Sequence, residues 1–408
     1  MLWKIALQYL VKSGDLTVVD AHGKTHHFGV VGQMPRSVIR LHDVTLHRKL
    51  LLYPELYLGE AYMDGTLILE AGDLRDFLTI IATNFAVSKP TFFEKVAEAM
   101  TPITQKILQY NPLGIAQKNV APHYNLSDKL YELFLDKDMH YSCAYYTDEH
   151  NSLEQAQQDK LRHIAAKLCI KPGMKILDIG SGWGGLAMYL ARECGADVTG
   201  VTLSSEQHAK ATQRVKEAGL EGRVRFHLKD YRHVDETFDR IVSVGMMEHI
   251  GVPFYREYFM KIKSLLKPDG VALIHCIGRL DGQGNTNPWL RKYIFPGGYA
   301  PALSEVTKVV EKTDLLMTDI EILRLHYAYT LRDWMTRIRE HWDTVAKLYD
   351  ERFCRMFEFY LISCEMDFRY LSTMVFQVQL TRDVNAVPIT RDYMVDGERS
   401  YAQAQRAA

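Results

Sequence analysis

No pair of cysteines in this chain has a spacing that would hold zinc or work as a redox motif. The six, Cys143, Cys169, Cys194, Cys276, Cys354 and Cys364, are scattered, with no C-x-x-C among them. They read as reduced thiols, the state expected in the cytoplasm. The chain also lacks any run of the roughly 18 to 20 apolar residues that a membrane span requires. Residues Met1 to Lys12 are interrupted by charge and have no cleavage site, which argues against a signal peptide. Their apolar residues fall at helical spacing, and a helix packed on its own domain is preferred over a membrane-surface helix. An excess of either charge is missing too: the net charge is −1, so no global field favours nucleic acid. Internal repeats and low-complexity tracts are absent.

What is present is the composition of a globular protein, 47% hydrophobic and 24% charged, in 408 residues that call for more than one domain. Residues 1–86 read as a small α+β unit. A hairpin joins Leu16–Asp20 to His26–Val31, strands follow near 38–41 and 66–69, and a short helix near 56–65 closes on Asp64-Gly65. Residues 87–121 carry Pro90, Pro102 and Pro112 and read as a linker with short helices. From 122 to 388 helical patterns alternate with short apolar strands, near 175–179, 196–201, 224–228, 239–244 and 271–276. That alternation predicts an α/β fold with a doubly wound, mostly parallel sheet. Long helices are expected over 331–349 and 352–370, with Val375–Leu380 as a last edge strand. Residues 389–408 are polar and are expected to form a flexible tail.

The stretch Lys175–Gly185 is the first to carry chemistry. An apolar run holding Asp178 leads into Gly180, Gly182 and Gly184, and then into a helical pattern. Strand, glycine turn and helix together let a ligand lie on bare backbone beside a helix N-terminus. G-x-G-x-G is one residue short of the dinucleotide fingerprint and leans toward S-adenosylmethionine (AdoMet), though a dehydrogenase stays open on this motif alone. At the end of the next strand, Thr202, Leu203, Ser204 and Gln207 bring no acid of the kind that holds a dinucleotide ribose. Ser204 with Gln207 also fits a helix cap.

Other strand ends supply polar groups. Tyr231 and Arg232 follow the third strand with Asp230, placed either to flank an adenine ring or to form a solvated loop. Glu248 and His249 follow the fourth among apolar residues, where a charge needs a partner. His275 lies near the end of the fifth. A metal triad of Glu248, His249 and His275 has no ligand-spaced motif behind it. Cys143, in Tyr141-Ser142-Cys143, would need His275 or His249 as a base to act as a nucleophile, which keeps a thiol acyltransferase or hydrolase among the alternatives.

Together these residues carry a resemblance. Tyr141–Tyr145, Leu177–Gly185, Gly200–Ser204, Ser243–Gly251 and Tyr293–Gly298 are similar to the cyclopropane-fatty-acyl-phospholipid synthase family, which includes the mycolic acid cyclopropane synthases. Gly59–Gly65 resembles the amino-terminal domain of its bacterial phospholipid enzymes. One departure is Ser181, where many members carry Cys. The resemblance implies a Rossmann-like AdoMet methyltransferase sheet with added helices, behind a lipid-associated amino-terminal domain. It implies AdoMet held by Tyr141, Ser142, Asp178, Gly180, Gly182, Gly184, Thr202, Leu203, Ser204, Gln207, Tyr231 and Arg232. It further implies a bicarbonate held by Cys143, Glu248, His275, Ile277 and Tyr327, with Cys143 and Ile277 giving mainly backbone groups. Tyr327 is preferred over Tyr329 because it stands three residues before Thr330-Leu331. The implied reaction adds a methylene from AdoMet across a cis double bond of a phospholipid acyl chain. Tyr145, Trp183 and Phe295 are candidates to face the carbocation. The implied partner is a phospholipid membrane, met peripherally from the cytoplasmic side by the amino-terminal domain, with Lys261, Lys263 and Lys267 near the head groups. A homodimer is compatible with this, and no nucleic acid is expected. Two alternatives stay open: a methyltransferase of the same fold that closes no ring or acts on a small amine, and a non-catalytic lipid-binding protein.

Overall fold

A computed structural model describes residues 2–87 and 126–407. The linker expected over 87–121 lies, but for Val87, outside the described residues. The chain divides into two compact units.

The first unit is built on a four-stranded sheet. Strand β1 (Asp15–Val19) pairs antiparallel with β2 (Thr25–Gly29) and parallel with β3 (Arg36–Leu41), which pairs antiparallel with β4 (Leu67–Ala71). The turn of the β1–β2 hairpin is tied by Asp20, whose carboxylate accepts from the N–H groups of His22 and Lys24. Two helices, Leu46–Leu52 and Pro54–Met63, connect β3 to β4. Asn285–Pro296 and Leu331–Ser372 also pack into this unit, although the sequence expectation runs both inside one continuous catalytic span. The physical reason is visible at Gly59. A Cβ there would meet Trp289 Nε1 at 2.5 Å and Phe359 at 2.8 Å, so only glycine admits both rings. Glu60 accepts from Lys292 and Tyr293, and Tyr62 donates to buried Glu358 at 2.5 Å.

The second unit holds the seven-stranded sheet, in the order β10-β11-β9-β8-β5-β6-β7. Strands β5 (Lys175–Ile179), β6 (Asp197–Thr202), β7 (Val224–Leu228), β8 (Phe238–Val244) and β9 (Leu266–Arg279) run parallel, and β11 (Thr373–Thr381) lies antiparallel between β9 and β10 (Leu316–Leu323). The doubly wound sheet is therefore as expected. Val375–Leu380, however, is not an edge strand: β10 covers it, and nearly all of β11 is buried. One face packs Leu177, Ile179, Ile274 and Phe376 against the helix Tyr255–Leu265. The other packs Ile176, Val242 and Leu273 against the helices Leu153–Lys167 and Gly185–Cys194.

Residues 389–407 are not a frayed tail. They include a helix, Asp392–Ala407, that lies on the helix Leu153–Lys167. Glu398 bonds His163 at 2.7 Å, Gln405 accepts from Arg162, and Gly397 lets the backbones close around Ala166. The polar residues that suggested fraying are the ones that make these bonds.

Candidate active site

Because β5 to β9 are parallel, their carboxyl ends share one edge. The strand order turns outward in both directions from β5 and β8, and a crevice opens there. The glycine turn leaves β5 at this point. Gly180 and Gly182 have φ of +83° and +53°, conformations that side chains resist. Tyr141, Ser142, Asp178, Gly180, Gly182, Thr202, Leu203, Gln207, Tyr231 and Arg232 line one cleft. Two expected contacts do not reach it. Gly184 starts the helix Gly185–Cys194, and a Cβ there would meet Phe226 at 2.6 Å, so it serves packing. Ser204 caps the helix Ser205–Glu217 by accepting from Gln207 N–H.

The cleft has an apolar wall and a charged floor. Tyr141 meets Tyr131 edge-on, and Trp183 tilts onto Tyr131 at 4.8 Å. Arg232 grips Asp230 with Nε at 2.9 Å and a terminal nitrogen at 2.8 Å. Burial works to raise the Asp230 carboxyl, but these bonds outweigh it and hold it low. Asp178 is buried with Oδ2 unpartnered, and burial raises its pKa to about 7, opposed only by Lys160. Lys160 also lines the cleft. Its ammonium donates to Ser142 Oγ at 3.1 Å, and burial lowers its pKa to about 8. Sequence reasoning missed Lys160 and Gln157, whose amide holds the Ser142 carbonyl at 3.1 Å. The available signal was the polar stripe Gln157, Lys160 and Lys167, at helical spacing on a helix otherwise buried.

A second group of polar residues gathers where β8 and β9 end. Glu248 is buried, and its Oε1 accepts from Ile277 N–H at 2.6 Å, so the carboxylate bridges from the loop after β8 to the end of β9. Its Oε2 is a buried oxygen without a hydrogen-bond partner. Burial raises the Glu248 pKa to about 7, against the pull of the Ile277 N–H. His275 sits two residues before Ile277 and receives a bond from Gln377 at 3.1 Å. Tyr327 is buried at the start of the helix His326–Glu340, whereas the Tyr329 hydroxyl bonds exposed Glu149. This favours Tyr327 over Tyr329 as an inward-facing tyrosine.

Cys143 is not an activated nucleophile. Its thiol donates to Ala144 O at 3.3 Å, and burial pushes its pKa up. Burial also holds His249 and His275 far below the usual imidazole range, at about 4 and about 3. Among the described residues no group of three or more His, Cys, Asp or Glu is arranged to hold a metal. Of the three candidate aromatic faces, Trp183 lines the cleft. Tyr145 is stacked on both His163 and His326, at 4.2 and 4.7 Å. Phe295 belongs to the first unit, where it packs edge-on against Tyr360.

A glycine turn at the switch point of a doubly wound sheet, with no acid after β6 to hold a dinucleotide ribose, fits a Rossmann-like AdoMet-dependent methyltransferase better than a dehydrogenase. The chain belongs to the mycolic acid cyclopropane synthetase family, whose model matches residues 114–378. It is 38% identical over 354 residues to cyclopropane-fatty-acyl-phospholipid synthase of Escherichia coli (strain K12), a match covering 86% of this chain and 90% of that relative. It is 36% identical over 338 residues to tuberculostearic acid methyltransferase UfaA1 of Mycobacterium tuberculosis (strain ATCC 25618 / H37Rv), covering 80% and 78%. Among solved structures, mycolic acid cyclopropane synthase CmaA1 complexed with SAH and CTAB superposes with a TM-score of 0.61 at 32% identity, over 65% of this chain and 97% of that one. The resemblance carried by the motifs is thus borne out.

Proposed function

We propose that this enzyme transfers a methylene group from AdoMet to the cis double bond of an unsaturated phospholipid acyl chain and closes a cyclopropane ring. The observation that carries the reading is the buried Glu248 carboxylate, bridged to Ile277 beside His275, at the same sheet edge as the AdoMet cleft. In this reading the second unit, which holds the expected catalytic span except for Asn285–Pro296 and Leu331–Ser372, carries the catalytic machinery.

The glycine turn, Thr202 and Gln207 would hold the nucleoside in this reading, and Ser142, Asp178 and Lys160, which line the same cleft, would hold the methionine end of AdoMet. Attack of the alkene on the sulfonium methyl leaves a carbocation, and the apolar wall around Trp183 and Tyr141 keeps water from it. Ring closure then needs a proton removed from the transferred methyl. In this reading a bicarbonate sits at the second group of residues, where the Glu248 Oε2 is a buried oxygen without a hydrogen-bond partner and buried His275 and Tyr327 would supply donors. When bound, bicarbonate would supply the base for that proton. Protonated Glu248 can donate to an anion, which its raised pKa favours.

Approach to the lipid is assigned to the amino-terminal helix Leu2–Leu10, whose Leu2, Ile5 and Tyr9 are more than half exposed on one face. Among the described residues no helix is long and apolar enough to cross a membrane. The lysine cluster contributes less than expected, because Lys263 and Lys267 are paired with Asp314 and Asp239. The proposed setting is the cytoplasmic face of a phospholipid membrane, and analytical ultracentrifugation would test the proposed homodimer.

A second reading, addition of a methyl without ring closure, is favoured by the likeness to tuberculostearic acid methyltransferase. Expression in a host without cyclopropane lipids decides between them. Proton NMR of extracted lipids should show ring methylene signals; branched methyl signals alone would select the second reading. Glu248→Leu, which can neither donate to the anion nor accept from Ile277, should abolish the ring signal, and a wild-type yield from that variant would remove the role given to Glu248.

A further inference from the structure

The helix Leu153–Lys167 turns a row of polar residues toward the sheet face that carries Asp178, His275 and Gln377. Within this layer, Gln377 and His275 stand directly opposite each other on β11 and β9. The Gln377 side-chain nitrogen lies 3.1 Å from His275 Nδ1, and Lys167 Nζ lies 2.9 Å from Gln377 Oε1. His275, Gln377 and Lys167 are each at most 2% exposed. Glu321 in turn bonds the Lys167 ammonium, and Asp319 stands 3.8 Å from it.

We propose that Lys167 and Gln377 are positioning residues that fix His275 as the neutral imidazole with its proton on Nε2, so that His275 donates to an oxyanion and does not act as a base. The argument is one of donors and acceptors. An ammonium has no acceptor, so the Gln377 carbonyl oxygen must face Lys167. The amide NH2 then faces His275 and can only donate. Nδ1 must therefore offer its lone pair, and in a neutral ring the proton sits on Nε2. A second proton on the ring would set N–H against N–H. The charged and titratable groups around His275 are Lys160, Lys167, His163 and Glu321, and burial with the cationic neighbours keeps the ring neutral. Stability alone does not explain the arrangement. A buried ammonium, amide and imidazole in a sheet face would be replaced at little cost by packed apolar side chains.

The inference deepens the bicarbonate reading and rests on it for the identity of the oxyanion. With His275 Nε2 protonated and Nδ1 occupied, the base for ring closure is some other group at the site. The same logic explains why β11 alternates Phe376, Gln377, Val378 and Gln379 while buried on both faces: the glutamines meet the helix, and Gln379 donates to Lys167 O at 2.6 Å.

The test uses the full-length enzyme labelled with 15N-histidine. Long-range 1H–15N correlation, with His275→Gln to assign the signal, should show His275 protonated at Nε2 and bare at Nδ1. Gln377→Glu replaces a donor by an acceptor and should move the proton to Nδ1. It should lower kcat for ring formation on the order of 100-fold, as for loss of an oxyanion donor, with AdoMet affinity by calorimetry changed less than about twofold. Gln377→Met, which removes the donor without reversing it, should fall between the two in rate. A wild-type His275 protonated at Nδ1, or ring formation by Gln377→Glu or Gln377→Met at the wild-type rate, would overturn the proposal. If Gln377→Glu does not fold, the wild-type spectrum and Gln377→Met still decide. Assay in bicarbonate-depleted buffer separates the two layers: a rate indifferent to bicarbonate sinks the anion's identity while the tautomer measurement stands.

Discussion

Glu248 links the chemistry of the site to the stability of the chain. Its pKa is raised by burial to about 7, against about 4.3 for a carboxyl in an unfolded chain. Between these values the folded protein keeps a proton that the unfolded chain has released, so stability falls as pH rises through that window. One such group is worth on the order of 3 kcal/mol across it. Asp178, also raised to about 7, acts in the same direction. His249 and His275, held far below the usual imidazole range, act in the opposite direction, so the test is the difference: urea denaturation at pH 5, 6, 7 and 8 should show the AdoMet-free wild type losing stability relative to Glu248→Gln as pH rises. A constant difference would mean that Glu248 is ionised throughout. The residues that matter here were legible where position alone marks them. Asp178, Glu248 and His275 stand in or just after parallel strands, at the edge where such folds bind ligands. Lys160, Lys167 and Gln377 were not legible, because their meaning depends on partners such as Ser142, Glu321 and His275, brought together only by folding.

Elements were legible where their periodicity had one cause. The central parallel strands β5, β8 and β9 read correctly because they are largely buried on both faces, and the β1–β2 hairpin read correctly from its turn. Misreadings came where polar residues serve burial. The alternation in β11 looked like an edge strand because Gln377 and Gln379 suggested water, whereas they face Lys167. The helix Asp392–Ala407 looked like a tail because its binding groups are Glu398 and Gln405. The amino-terminal helix is the opposite case. Its Leu2, Ile5 and Tyr9 are apolar yet exposed, at 67%, 58% and 64%, while Trp3 anchors it inward, stacked on His47 at 5.0 Å. Changing exposed residues leaves the core untouched, so Ile5→Asp with Tyr9→Asp should preserve the melting temperature. Binding to vesicles of anionic and zwitterionic phospholipid should weaken at least tenfold, from loss of two apolar side chains each worth roughly 1.5 to 3 kcal/mol when buried. Co-sedimentation equal to wild type would remove this helix from the lipid surface.

At the scale of the whole molecule, the chain order and the packing order differ, and this decides what can be cut away. A reading by composition makes residues 1–86 a separable module. The packing makes them part of a unit whose other walls come from Asn285–Pro296 and Leu331–Ser372. The helix Glu351–Tyr370 carries Glu365, fully buried, with Arg75 donating to it at 2.5 and 2.6 Å and Arg369 at 2.8 Å. It also carries Glu358, held by Tyr62 and Arg339. Deleting residues 2–87 removes Arg75 and Tyr62, strips Met63 and Gly59 from Trp289, and exposes a helix face shaped to be covered. Stranding a buried charge by removing its partner costs about 3 to 5 kcal/mol, a large part of the 5 to 15 kcal/mol that holds a typical protein folded. The truncated chain should therefore lose more than membrane contact. It should melt at least about 10 °C lower, or precipitate, and hydrogen exchange should show the helix Glu351–Tyr370 unprotected. Arg75→Met in the full-length chain gives the same answer on a smaller scale, stranding Glu365 with Arg369 alone. A truncation that melts with wild-type cooperativity and keeps that helix protected would show that residues 2–87 are separable after all.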